Sequence, residues 1–341
     1  MQKIKAEDAV GQTLCHDVTG IKDGWKGATF KRGHVVTQED IDLLLDIGKS
    51  HVFIWEAEAD EVHEDDAALA AAEAVCGPGI DYDKMPSEGK IIMYAQCEGL
   101  FTINREALRY LNTMGDYTLA SLPNMIGVKE REKLGGLRII PLVTKRSNVD
   151  RLVKYARESY PVFTVLPYRK LKYGVVITGS EIYHGRIQDK FEPLLRGKLG
   201  KYGAEFLGAV KCPDDLNMIT EAISGFRTKG AELILLTGGM SVDPDDLTPT
   251  AIRSSGAHIV TQGMPMQPGN MLTIAYLDGS VLIGVPGASI HAPVTSLDVF
   301  LPRIFAGVEI TPDDIPGLGE GGFCSGCKEC SYPRCYFGRG Y

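Results

Sequence analysis

From Lys172 onward the chain alternates short apolar runs with stretches of helical spacing, and this alternation constrains its fold more than any other feature. Lys172-Tyr-Gly-Val-Val-Ile-Thr178 and Leu233-Ile-Leu-Leu-Thr237 are continuous apolar runs of the length of buried strands. A helix is expected over 188–202, with Phe191, Leu194, Leu195 and Leu199 on one face. A strand over 205–210 and a helix over 216–228 follow, the latter carrying Ile219, Ile223 and Phe226. Strand–helix–strand order demands a parallel sheet with right-handed crossovers and helices on both faces. Ligands of such sheets bind beyond the carboxyl ends of the strands.

Those ends are unusually polar. They deliver Thr178-Gly-Ser-Glu181, then Pro213-Asp214-Asp215, then Thr237-Gly-Gly-Met-Ser241. Paired glycines at Gly238 and Gly239 let the backbone turn tightly and aim N–H groups at an anion. Asp243, Asp245 and Asp246 follow before a helix-start signal at Thr248-Pro249. Carboxylates beside an anion loop call for a bridging cation, of which magnesium is the natural choice. Two more loops fit the same edge: Pro268-Gly269 ahead of a strand over 272–277, and Pro286-Gly287-Ala-Ser289 opening into a helix expected over 289–300. The N–H groups of that helix start are available to an anion. Taken singly, each glycine loop is an ordinary turn. Three or more on one edge make a site.

The remaining chain reads as smaller α+β regions, 1–57 and 58–170, ahead of an α/β domain over 171–310 and a glycine-rich tail over 311–341. In the first, Thr37-Gln-Glu-Asp begins a helix carrying Ile41, Leu44 and Leu45, and a strand is expected over 51–55. The acidic stretch 56–66 reads as a solvated face. In the second, Asn104 is the expected cap of a helix and an amphipathic helix runs over 148–160. His16, His34, His51 and His63 are isolated and read as structural or solvated. No nucleophile–base pair is evident. The net charge of −8 argues against non-specific nucleic-acid binding. No apolar run reaches membrane-spanning length and the first residues lack a signal-peptide core, so a cytoplasmic protein without a membrane partner is expected.

Cys15, Cys76, Cys97 and Cys212 are scattered and read as small apolar residues or idle thiols. Cys324-x2-Cys327-x2-Cys330-x4-Cys335 differs. Four thiolates at this spacing can converge on a metal centre, either tetrahedral zinc or an iron–sulfur cluster. The spacing leaves both open.

In their order along the chain, these segments resemble the molybdopterin-binding domain shared by molybdopterin molybdenumtransferases and molybdopterin adenylyltransferases. The resemblance rests on Thr178-Gly-Ser-Glu-Ile182, Asp189, Pro213-Asp-Asp215, Thr237-Gly-Gly-Met-Ser-Val242 with Asp246, Pro268-Gly269 and Val285-Pro-Gly-Ala-Ser289. It implies an α/β, parallel-sheet, three-layer domain that takes molybdopterin or its adenylate, with Mg2+ and molybdate, in a homodimer. By position, Thr178, Gly179, Ser180, Asp189, Thr237, Gly238, Gly239, Ser241, Pro268, Gly269, Pro286, Gly287 and Ser289 would line the cofactor site. Glu181, Asp214, Asp215 and Asp246 would be the functional carboxylates, holding magnesium or orienting molybdate. A molybdoenzyme or an adenylyltransferase is the implied protein partner. The family's Lys-Pro-Gly-Lys-Pro loop is here Gln267-Pro-Gly-Asn-Met271, without either lysine. The N-terminal motif of the transferases is not found. These departures leave two alternatives beside molybdenum insertion: a non-catalytic carrier or sensor of the cofactor, and a nucleotide pyrophosphatase on the same domain.

Overall fold

The computed structural model describes residues 2–22, 25–54, 60–240 and 246–340. By its contacts the chain divides into two units: 1–97 with 101–122 and 129–165, and 98–100 with 123–128 and 166–341.

The second unit holds a six-stranded sheet built from β1 (Lys172–Thr178), β2 (Glu205–Cys212), β3 (Leu233–Thr237), β4 (His258–Gln262), β5 (Thr273–Leu277) and β6 (Ser280–Val285). The strand order is β2-β1-β3-β6-β5-β4. β1 runs parallel to β2 and β3, and β3 parallel to β6. β5 and β4 are antiparallel additions, so the sheet is mixed instead of wholly parallel. The reason is local. Asp278 and Gly279 both take positive φ between β5 and β6, and a two-residue turn of that kind returns the chain antiparallel.

Helices cover both faces. On β1 and β3 successive side chains point to opposite sides, so Val175, Ile177, Leu233 and Leu235 enter one core while Val176, Ile234 and Leu236 enter the other. Against the first core lie α2 (Phe191–Gly200) and α5 (Ser296–Phe305), and against the second α3 (Leu216–Thr228) and α4 (Thr248–Ser254); α1 (Ser180–Tyr183) is a single turn. Ile219, Ile223 and Phe226 of α3 are buried at helical spacing, each contributing about 1.5–3 kcal/mol relative to exposure. Three layers result.

Further sequence expectations change. The helix expected over 289–300 is a 3-10 turn, Gly287–Ile290, followed by α5 from Ser296. Thr295 and Asp298 form a reciprocal capping box that fixes the start of α5. The acidic stretch 56–66 is not simply solvated: Glu61–His63 pairs antiparallel with Val143–Lys145, and His63 and Glu64 are buried.

The first unit contains an antiparallel sheet of four strands in the order Ile80–Tyr82, Lys90–Ala95, Lys133–Ile139 and Tyr117–Ser121. The helices Glu64–Val75 and Arg146–Glu158 pack together in the same unit. Its N-terminal portion has a small core of its own, including Leu14, Phe30, Val36, Ile41, Leu44 and Val52. Leu45 of the expected apolar face is exposed instead.

Candidate functional site

Register gathers the candidate residues. Thr178 lies opposite Cys212, Ile177 opposite Thr237, and Thr237 opposite Val285, so the four parallel strands end side by side. β5 runs the other way, with Thr273 opposite Gly284, and the loop before it therefore reaches the same edge. The loops carrying Gly179–Glu181, Asp214–Asp215, Gly238–Gly239, Pro268–Gly269 and Pro286–Gly287 all leave from this edge.

A buried hydroxyl network locks its centre. Thr178 Oγ1 donates to Thr237 O at 3.0 Å and lies 3.1 Å from Thr248 Oγ1, which donates to Gly238 O at 2.8 Å. Gly238 has φ of +84°, and a Cβ there would collide with Thr178 O. Only glycine fits. Thr237 Oγ1 and Thr273 Oγ1 are buried without a hydrogen-bond partner among the described residues.

The carboxylates have different roles. Asp214 Oδ2 accepts from Ser180 N and Ser180 Oγ, both at 2.9 Å, and so ties two strand-end loops together. Asp215 accepts from Met218 N at 2.9 Å and caps α3. Asp189 accepts from Phe191 N and Glu192 N, both at 2.9 Å, and thereby caps α2. The position of Asp189 ahead of Phe191 and Glu192 was the signal for a cap, and it competes with a role in ligand binding. Glu181 is exposed, with its carboxylate over Gly179. Asp246 is half-buried just before α4. Ser241 lies outside the described residues, with Asp243 and Asp245. Ser289 is buried, 3.2 Å from Thr295 Oγ1, and serves the turn into α5. Pro286 is buried and Gly287 exposed.

The Pro268–Gly269 loop is held from two sides. From α5, Ser296 N donates to Pro268 O at 3.2 Å and Ser296 Oγ to Gly269 O at 2.5 Å. From the tail, Cys324 N donates to Gln267 O at 2.7 Å, while Gln267 N donates to Gly322 O at 2.7 Å. This pairing joins the cysteine segment to the very loop that lacks the family's lysines. Spacing alone carried no sign of it.

The tail is ordered by packing and closure. Gly338 N donates to Gly321 O at 3.0 Å, Tyr332 Oη to Asp298 O at 3.0 Å, and Phe337 is buried in the core beside α5. Cys324, Cys327, Cys330 and Cys335 all line one cavity of about 220 Å3, together with Pro268 and Tyr332. Cys324 and Cys335 are half-buried, Cys327 and Cys330 exposed, and none is in a disulfide. Among the described residues no three His, Cys, Asp or Glu side chains are gathered as ligands of a single ion.

The first unit has a cavity that sequence reasoning missed, of about 430 Å3, lined among others by His16, Lys49, His51, Glu64, Glu88 and Arg138. Glu64 is 4% exposed. Burial, reinforced by Asp65 and opposed by Arg138, pushes its carboxyl up to about 7. Burial likewise holds His16 below the usual imidazole range. His63 is structural, as expected: its ring lies 2.6 Å from Cys15 O and accepts from Asp65 N.

A sheet whose parallel strands end in polar loops on one edge has the architecture of α/β domains that bind ligands at their strand ends. The family model described as "Probable molybdopterin binding domain" matches residues 174–306. A second model, "Domain of unknown function (DUF8806)", matches 3–56. Over 149 residues the chain is 26% identical to the molybdopterin molybdenumtransferase of Synechococcus elongatus, a match covering 41% of this chain and 37% of that protein. It is 30% identical over 121 residues to the Staphylococcus aureus (strain COL) molybdopterin molybdenumtransferase, covering 33% and 28%. The chain thus spans about a third of the length of the curated relatives it matches. Among solved structures it is similar to the tungsten cofactor synthesizing protein MoaB of Pyrococcus furiosus, at 18% identity and TM-score 0.32 over 40% of this chain and 94% of that one. The Mog protein of Mycobacterium ulcerans gives 17% and 0.35 over 40% and 97%. No helix among the described residues is long and apolar enough to cross a membrane.

Proposed function

We propose that the second unit binds molybdopterin or its adenylate on the strand-end edge and acts in the biosynthesis of the molybdenum cofactor, in magnesium-dependent molybdate insertion. The observation that carries this is the register that aligns Thr178, Cys212, Thr237 and Val285, bringing five polar loops together. Gly238 and Gly239, both at positive φ, give the loop after β3 a backbone whose N–H groups could meet a phosphate. The hydroxyl of Thr237, buried at the end of β3 without a partner among the described residues, would gain one from a ligand that reaches it.

Magnesium usually binds through one or two carboxylates, its remaining positions going to water and substrate phosphate. Glu181, Asp214 and Asp246 are the residues that would hold it, whereas Asp215 is occupied as a cap. When bound, the ion would neutralise charge on the phosphate oxygens. Asp214 fixes Ser180, and through it the turn of the first loop. The cysteine tail is the second metal-holding element, four thiols lining one cavity.

A specific observation favours a second reading, that of a carrier. Gln267 stands where the family has lysine, and its backbone is committed to the tail. Neither Gln267 nor Asn270 can supply the positive charge of a lysine toward phosphate or molybdate. Isothermal calorimetry with adenylated molybdopterin, with and without magnesium, tests the binding. Tight binding that Gly238→Ala abolishes is expected; no binding by the wild type overturns the proposal. Multiple turnovers of adenylate cleavage in the presence of molybdate would establish insertion and sink the carrier reading.

A further inference from the structure

The tail poses a question of its own, because four cysteines face one void instead of one point. A tetrahedral zinc site draws its sulfurs to about 2.3 Å from a single ion and leaves no space between them. In a four-iron cluster each thiolate binds a different iron, so the sulfurs stand apart around a body of iron and sulfide. Four cysteines that line a cavity of about 220 Å3, with no three of them gathered on a single ion among the described residues, suit the second arrangement. Half-buried Cys324 and Cys335 and exposed Cys327 and Cys330 share it. Apolar neighbours at Pro268, Val294 and Phe337 complete the lining, and such a shell limits the access of water to a cluster.

Charge points the same way. Arg339 donates from Nε to Cys335 O at 3.2 Å and from Nη2 to Pro333 O. Both acceptors are neutral carbonyls. A cation held against Cys335 by carbonyls suits a cluster whose four thiolates make it anionic.

We propose that Cys324, Cys327, Cys330 and Cys335 hold a four-iron, four-sulfide cluster in this cavity, and that the cluster fastens the Gln267–Gly269 loop of the ligand edge. The inference rests on the tail being a metal-holding element, and it adds the metal's identity and its consequence. Pro268 is the shared part: it lines the cysteine cavity, and its carbonyl is held by Ser296 of α5. One residue away, Gln267 pairs with Gly322 and Cys324 through its own N–H and carbonyl. Filling the cavity fixes Cys324, and Cys324 fixes Gln267.

The full chain, purified without oxygen and reconstituted with ferric iron, sulfide and a thiol reductant that supplies the electrons, should hold about four irons and four acid-labile sulfides. Reduction with dithionite should bleach its visible absorption and produce an electron paramagnetic resonance signal. Cys327→Ser with Cys330→Ser, both at exposed positions, should lose the iron and keep the circular dichroism of the wild type. Hydrogen exchange at the Gln267 and Cys324 amides should be at least about tenfold slower in the loaded protein than in the double variant. One tightly bound zinc with no iron would overturn the cluster and leave a metal-holding tail. Failure to take up any metal would overturn both. Equal exchange at the two amides with the cluster in place would overturn the link to the loop. Calorimetry of adenylated molybdopterin on the cluster-free double variant reads the strand-end site separately, because binding there does not require iron.

Discussion

The sheet edge of the second unit and the cavity of the first treat their carboxylates in opposite ways. At the edge, three of the candidate carboxylates already have structural roles. Asp214 holds Ser180, Asp215 caps α3, and Asp189 caps α2. In the cavity, Glu64 is almost fully buried, its carboxylate accepts no hydrogen bond among the described residues, and its proton affinity is raised. A carboxylate satisfied by backbone N–H groups shapes its loop, and losing it mainly loosens that loop. A carboxylate buried without such donors opposes folding when charged. The edge therefore uses its polar groups for geometry, and the cavity keeps one in reserve.

The sharpest way to break this contrast is at Gly238. Gly238→Ala forces a side chain into the left-handed region and onto Thr178 O, so a loss on the order of 3 kcal/mol is expected in chemical denaturation. A change below about 0.5 kcal/mol would mean that the edge is not rigid.

Glu64 comes next, and its effect depends on pH. Its carboxyl rises from 4.5 to about 7 on folding, so between those values the folded chain retains a proton that the unfolded chain has released. Stability contributed by this group falls as pH rises through that window. Glu64→Gln should be more stable than the wild type above pH 7, by on the order of 2 kcal/mol. The gain should vanish below about pH 4.5, where both states of the wild type are protonated. A Gln variant less stable at pH above 7 would show that the charge has a partner after all.

Asp215→Ala should cost about 1 kcal/mol through the lost cap, while adenylated-molybdopterin affinity stays within about twofold. A large loss of affinity would return Asp215 to the ligand site. The smallest effect belongs to Thr237→Val. The hydroxyl has no partner among the described residues, so stability should stay within about 0.5 kcal/mol or rise slightly, and ligand affinity should fall. Unchanged affinity would remove Thr237 from the proposed pocket.

Much of the second unit was legible because its signals are local. Leu216–Thr228 and Leu233–Thr237 carry their own periodicity, and the loop glycines mark where strands stop. The antiparallel turn of β5 was less visible. Its turn residues Asp278-Gly279 announce a hairpin, but the strand-and-helix rhythm of the preceding segment suggested continued parallel order. The start of α5 depends on the Thr295–Asp298 capping box, which competes with the earlier Pro286-Gly287 opening. Glu64 was hidden for a different reason. Acidic residues surround it in sequence, and only the long-range pairing of Glu61–His63 with Val143–Lys145 carries it inward. The carboxylate roles were partly readable: Asp189 and Asp215 stand where helix caps stand, yet a ligand motif uses the same residue type.

The reversal of β5 has a practical consequence for engineering this chain. A strand running against its neighbours begins where they end, so added residues before Thr273 would crowd the proposed ligand edge, whereas residues added at Asp278–Gly279 would emerge at the opposite rim. The latter turn is the place to splice a fluorescent reporter or affinity peptide, because its growth leaves the five loops untouched.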